Sequence, residues 1–276
     1  MKFLLDCDPS VTLQKFKGLS LLDYACDSEI FNDKNIHAAL AVIEVIYDAH
    51  PEAIEDERIV SNIQNYHQQV QAFLNDQLVY VRQAKDLTLM TTIDENGRLP
   101  LHIALKNNDR LGSIKLLVKG NPTAVQSADN NGVLPLHIAC MHHDSANVIQ
   151  YLAELDPSAL NAVDRDGNTA LHLLCHGAKY EAIALLLDEF DAASVSTRNA
   201  AKQLPIDLLW ESTEVEAEDR ESIEYTESMY RLLRANPEMM MGIDVQTMQA
   251  SASASVSTLP CQAGKKRKFG NWYITL

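Results

Sequence analysis

Two stretches bring thiol and imidazole groups close together: His137-x-x-Cys140-x-His142-His143 and His172-x-x-Cys175-His176. Both ligand types suit zinc, which structural sites hold in sets of four. The two cysteines occupy matching places, Cys140 after Ala139 and Cys175 after Leu174, where a small buried side chain is ordinary. Packed helices stand about 8–10 Å apart, whereas a disulfide needs Cα atoms within about 7 Å. Cys140 and Cys175 are therefore expected to stay unbonded. Other chemistry finds no footing. The chain has no Gly-x-Ser-x-Gly, His-Glu-x-x-His or Gly-x-Gly-x-x-Gly, and Gly264-Lys265 lacks the upstream glycine of a phosphate loop. The residues predict no catalytic group, no cofactor and no metal.

What positions these histidines is a repeat. Asp94-Glu-Asn-Gly-Arg-Leu-Pro-Leu-His-Ile-Ala104, Asp129-Asn-Asn-Gly-Val-Leu-Pro-Leu-His-Ile-Ala139 and Asp164-Arg-Asp-Gly-Asn-Thr-Ala-Leu-His-Leu-Leu174 follow one another at intervals of 35. The same interval separates Gly97, Gly132 and Gly167, and again His102, His137 and His172. A fixed period of roughly 20–50 residues marks a stacked architecture. The motif resembles the ankyrin repeat, Gly-x-Thr-Pro-Leu-His-x-Ala, with Leu99 and Leu134 in the Thr place and Ala170 in the Pro place. Asp-x-x-Gly predicts a tight turn at a finger tip, with glycine supplying positive φ. Pro100 and Pro135 suit the first turn of a helix, where a missing N–H goes unnoticed. Leu101, Ile103 and Ala104 should then face neighbouring helices. The resemblance implies a structural role for His102, His137 and His172, bonding to the backbone of adjoining turns, which removes His137 and His172 from any metal set.

The resemblance covers residues 1–242 and implies an all-α solenoid of helix-turn-helix repeats with short fingers. The regular repeats are 94–128, 129–163 and 164–198, followed by an atypical 199–242 and preceded by degenerate copies in 1–93. In the fourth copy Lys202 and Asp207 hold the Gly and His places; in a worn early copy, Gly18 to Ala25, Asp23 replaces His. A polar residue and usually proline end each outer helix: Asp8-Pro9, His50-Pro51, Asn121-Pro122, Asp156-Pro157 and Asn236-Pro237, with Asp86-Leu87 and Asp191-Ala192 lacking the proline. The intervals are 42, 36, 35, 35, 35 and 45. The first surplus falls in an enlarged loop, Cys26 to Asn35. The last falls in Glu211 to Arg220, an acidic insertion expected to be a solvated loop rather than a docking site. The chain begins inside an outer helix, which fits either a fragment or an N-terminal helix that caps in its own way. Glu52 to Asn96 lacks Gly and Pro, and its apolar spacing predicts an atypical long helix, or a barely broken pair, near 57–85. That helix is expected to pack on its own stack rather than serve as a strut for a partner. The stack should be weakest at its ends, so Leu22→Ala should cost less than Leu136→Ala.

Charge and composition bound the function. Residues 243–276 carry Asp244 against Lys265, Lys266, Arg267 and Lys268; with a net −15 for the whole chain, the remainder carries −18. An acidic body argues against nucleic acid as a ligand of the repeats. Hydrophobic content of 46% suffices for a core, yet no apolar run approaches a membrane span. Asp6 and Asp8 come too early for a signal peptide, and five cysteines fit a reducing compartment, so an intracellular place is expected. The low-complexity 243–276 should be disordered, and Lys265–Lys268 reads equally as a nuclear import signal or a charge run, leaving cytoplasm and nucleus both open.

The resemblance implies a non-enzymatic, monomeric scaffold or adaptor that grips another protein on its concave face. Carried over by position, partner contacts fall on Asp94, Asn96, Arg98, Asn130, Val133, Arg165 and Asn168 of the fingers. On the inner helices they fall on Lys106, Asn107, Met141, His142, His176 and Lys179. These surfaces offer no aromatic anchor. The alternatives are a nuclear regulator acting through the basic tail and a piece of a longer structural array.

Overall fold

The computed structural model describes residues 19–26, 35–190, 193–212 and 222–235, and the backbone of 266–269 and 272–275. The N-terminal residues through Gly18, the 27–34 loop, the acidic 213–221 stretch and the rest of the tail lie outside the described residues. Contacts divide the chain into two compact units, 1–143 and 144–276.

The first unit holds α1 (Leu21–Cys26), α2 (Ile36–Ala49), α3 (Glu57–Asn62), α4 (Gln68–Ala84), α5 (Leu87–Thr91), α6 (Pro100–Lys106), α7 (Leu111–Gly120) and α8 (Pro135–His142). On α2, buried Ile36, Ala39, Ile43, Ile46 and Tyr47 recur at three and four and make one apolar stripe. Val70, Leu74, Leu78 and Val81 do the same on α4. The two stripes meet in one core cluster with Leu22, Ile54 and Ile59, so α4 packs on its own stack, as the sequence favours. Leu22 is fully buried there. A fully buried leucine leaves a cavity when truncated, so Leu22→Ala carries a cavity cost of its own, and denaturant titration of Leu22→Ala beside Leu136→Ala measures whether the end of the stack is the weaker.

The single long helix near 57–85 is not formed; the segment is the broken pair. A 3-10 turn, Ile63–Asn65, and an extended Tyr66 separate α3 from α4. No proline or glycine makes the break. Polar side chains supply the bonds the backbone gives up there. The Asn62 amide donates to the Arg58 carbonyl at 2.8 Å, and the Gln71 amide donates to the carbonyls of Gln64 and Tyr66 at 2.9 and 2.8 Å. His67 Nδ1 accepts the Gln69 N–H and caps the new helix. Downstream, α4 runs unbroken through residues 72–75. These lie 35 before Asn107–Arg110, which in the regular repeat separate α6 from α7.

With its finger lost, this segment lets α2 lie directly against α7. Tyr47 donates to or accepts from Ser113 Oγ at 3.2 Å, and Ser113 donates to Gln77 Oε1 at 2.8 Å. Gly112 N–H donates to Asp48 Oδ1 at 2.9 Å and Lys115 Nζ to the Asp48 carbonyl at 2.6 Å. A Cβ on Gly112 would stand 2.4 Å from Tyr47 Cε1, so only glycine admits this approach. Burial raises the Asp48 carboxyl above its usual range, against the opposing pull of the Gly112 N–H, Arg110 and Lys115.

The second unit holds α9 (Ala146–Leu155), α10 (Ala170–His176), α11 (Tyr180–Glu189), α12 (Pro205–Glu211) and α13 (Ile223–Ala235). Beyond them β1 (Lys266–Phe269) pairs antiparallel with β2 (Trp272–Thr275), Phe269 opposite Trp272. This hairpin is the described part of the stretch expected to be a tail.

The polar-proline signposts do more than end the outer helices. Each of the three within the described residues opens a 3-10 turn, Pro51–Glu55, Pro122–Gln126 and Pro157–Leu160, and Ala193–Ser196 repeats it without proline. Ile54, Ala124, Val125, Ala159, Leu160 and Val195 of these turns are buried. The residue ahead of the proline can cap the turn: Asp156 accepts the Ser158 N–H at 3.2 Å and its hydroxyl at 2.5 Å.

Fingers follow one bonding scheme. In the first, Asp94 N–H donates to the Arg98 carbonyl and Gly97 N–H to the Asp94 carbonyl, both at 3.0 Å. Asp94 Oδ1 accepts from the N–H groups of Asn96 and Arg98. Gly97, Gly132 and Gly167 have φ near +74°, and Lys202 takes +64° in the fourth finger. A left-handed L-residue costs roughly 1–2 kcal/mol. Lys202→Gly should therefore stabilise the protein by up to about 1 kcal/mol, part of the relief going to glycine's chain entropy. Gly167→Ala should destabilise by about 1–2 kcal/mol, because its Cβ would also stand 2.9 Å from the Ala200 nitrogen. Urea midpoints moving in opposite directions are the expected result.

Candidate interaction face

Within each unit, one finger is tied to the next through backbone. Asn130 N–H donates to the Asn96 carbonyl at 3.0 Å, and in the second unit Ala200 N–H donates to the Asp166 carbonyl at 2.8 Å. Side chains add Asn130 Nδ2 to the Glu95 carbonyl and Asn199 Nδ2 to Asn168 Oδ1. Side chains at the tips are thereby presented from a fixed backbone.

At the root of the first three fingers the histidine accepts the N–H of the residue three before it, which is one half of a reciprocal capping box. His102 Nδ1 accepts the Leu99 N–H at 3.1 Å, His137 Nδ1 the Leu134 N–H at 3.3 Å, and His172 Nδ1 the Thr169 N–H at 3.2 Å. An accepting Nδ1 leaves the proton on Nε2, and His172 Nε2 faces the Gln203 carbonyl at 3.1 Å, in the next finger. Asp23 and Asp207, in the histidine place, accept the Ser20 and Leu204 N–H groups, each at 2.8 Å. A carboxylate keeps the cap but is too short to span to another finger. Sequence register exposes both substitutions; only the geometry shows that the cap survives.

Burial lowers the His172 pKa, with the Gln203 carbonyl, Asp164 and Asp207 partly offsetting it. Burial likewise lowers His102, opposed by the Ser127 backbone and Asp129. Rings that are neutral when folded but charged when unfolded make the unfolded chain the stronger proton binder below its own pKa. The ordinary value is 6.5. Stability is thus full above that pH and is lost as pH falls below it. Asp48, raised when folded, acts oppositely only as pH falls toward its ordinary 3.8. Urea midpoints should hold level from pH 8 to 7 and decline from 6.5 to 5.5. Level midpoints through pH 5.5 would contradict the linkage.

The metal-like stretches are taken up elsewhere. His137 and His172 spend Nδ1 on caps, while His143 is buried with Nε2 2.8 Å from the Asp109 carbonyl. Burial pushes the Cys175 thiol up, and burial with Asp23 pushes Cys26 up to about 12, so both stay thiols. Among the described residues no group of three or more His, Cys, Asp or Glu side chains is placed to hold a metal ion.

Of the residues assigned to partner contact, Asn96, Asn130 and Arg165 are exposed at finger tips, and Lys106, Asn107, Met141, His142 and His176 on inner helices. Asp94, Arg98, Val133, Asn168 and Lys179 are half-buried. Asp94 is occupied in holding its own turn. Asn168 accepts from Asn199, and Lys179 Nζ approaches Asp144 at 3.9 Å. Ile103 corrects the sequence reading: Leu101, Ala104 and Leu105 are buried, but Ile103 is 41% exposed. At about 100° per residue it sits about 200° from Leu101, on the opposite side of α6. With Met141 it gives this face an aliphatic component that the motif alone hides.

A family model of ankyrin repeats in three copies matches residues 60–161, and an ankyrin repeat model matches 166–200. Compared with curated proteins, the chain gives no match. The first match begins inside the segment that has lost its finger. Repeats of this family are in general protein-interaction modules without catalytic chemistry. Period, fingers, histidine caps and family match agree: the chain is an ankyrin repeat protein.

Proposed function

We propose that the chain is a monomeric, non-enzymatic scaffold or adaptor that grips a partner protein with its finger tips and the exposed residues of α6, α8 and α10. The observation that carries this reading is the backbone bonding of finger to finger, Asn130 N–H to Asn96 and Ala200 N–H to Asp166. Side chains on a fixed backbone bind without the ordering cost that a loose loop incurs. Exposed Ile103 and Met141, flanked by Lys106, Asn107 and His142, supply the apolar centre and polar rim of an interface. No described helix is long and apolar enough to cross a membrane, and the place of action is the cytoplasm or nucleus.

The test is affinity capture with the full chain, followed by Kd measurement for each captured protein. Combined Lys106→Glu and Met141→Asp should weaken the partner at least tenfold, about 1.4 kcal/mol, while Lys119→Glu on the outer surface leaves it bound. Equal binding by both variants would remove this face from the function.

A further inference from the structure

Along α7 the cations of the first unit are spent within it. Arg110, just ahead of the helix, pairs with Glu44; Lys115 Nζ donates to the Asp48 carbonyl; Lys119 Nζ lies 2.6 Å from Glu52. Lys106 differs. It is exposed at the end of α6, and its ammonium makes no ion pair or hydrogen bond with the described residues. Neither α6 nor neighbouring α8 contains an aspartate or glutamate.

The surroundings of Lys106 sharpen the contrast. Ile103 stands three residues earlier, about 60° away around the helix. Met141 holds the place of Lys106 one repeat later, on α8. These two aliphatic side chains are 41% and 37% exposed. A surface that covers both also closes over Lys106. An ammonium taken out of water without a counter-charge is costly, so an uncharged apolar partner is penalised here and a basic one is repelled. A carboxylate set between apolar groups meets all three side chains at once. With a net charge of −15 the chain repels acidic partners at long range, so this attraction is local and fixes register more than it speeds encounter.

We infer that the partner segment bound at this face presents an Asp or Glu between two apolar side chains, and that Lys106 is the residue that selects it. The inference rests on the reading above, in which the exposed residues of α6 and α8 form the interface. Ile103 and Met141 contribute apolar area, and Lys106 decides which apolar segments are accepted. Binding should weaken as salt rises, because the ion pair stands at the edge of the solvent.

A random peptide library displayed on phage and selected on the full chain provides the test. Recovered peptides should carry an Asp or Glu flanked by aliphatic or aromatic residues, and should bind Lys106→Glu about tenfold more weakly than wild type. Selected instead on Lys106→Glu, the same library should yield Lys or Arg in that place, a gain that a folding defect would not produce. Peptides that lose binding on Met141→Asp, yet show no enrichment in acids and ignore Lys106→Glu, would overturn the inference and leave the face in place. Peptides indifferent to both Ile103→Asp and Met141→Asp would bind elsewhere, and would overturn the face together with the inference.

Discussion

Replacing Tyr47 by alanine should lower the unfolding free energy by about 3–5 kcal/mol, the range for deleting a large buried aromatic. The ring is fully buried, edge-on to Phe73 with centroids 5.7 Å apart, and Gly112 is cut back to admit it. Tyr47→Phe keeps the packing and removes only the hydroxyl bonded to Ser113. It should cost about 0.5–1.5 kcal/mol. Denaturant titration of both variants checks the pair. A loss below about 1 kcal/mol for Tyr47→Ala would mean that α2 does not rest on α7.

His172→Ala should cost about 2–4 kcal/mol, combining a cavity with the loss of a buried cap and of the bridge to Gln203. His172→Asn offers an acceptor for the cap but cannot reach the next finger, and should fall between wild type and His172→Ala. Hydrogen exchange separates the two functions of the ring. The Thr169 amide should lose protection in the alanine variant and recover it in the asparagine variant. The finger at 199–203 should lose protection in both. An unaffected 199–203 finger would show that the Nε2 bond to Gln203 does not couple it to α10.

These variants also mark what the sequence can disclose. Fingers and caps are local: a glycine at positive φ, an aspartate two residues from the N–H it binds, a histidine three residues from the N–H it accepts. Each leaves a residue at a fixed offset, so 35-residue spacing makes them legible. The 3-10 turns after the outer helices were half visible, as a polar residue and a proline; that the following Ala-Val or Ala-Leu plugs the core depends on contacts distant in sequence. The break between α3 and α4 carries no proline or glycine and rests on amide side chains that bond backbone only once the turn exists. The Tyr47–Ser113 contact joins residues 66 apart and skips the repeat between them, which no period predicts. Ile103 stays illegible because motif identity does not report burial, whereas helix geometry turns it outward.

The most direct test of the interaction face is site-specific photo-crosslinking in the full chain. A benzophenone side chain at Asn107 or Met141, both exposed on the inner helices, should yield adducts with one and the same partner protein. The same group at Lys119 or Glu154, exposed on outer helices, should yield none. Adducts with that partner from positions 119 and 154, with none from 107 and 141, would place the interface on the opposite surface and contradict the proposed grip.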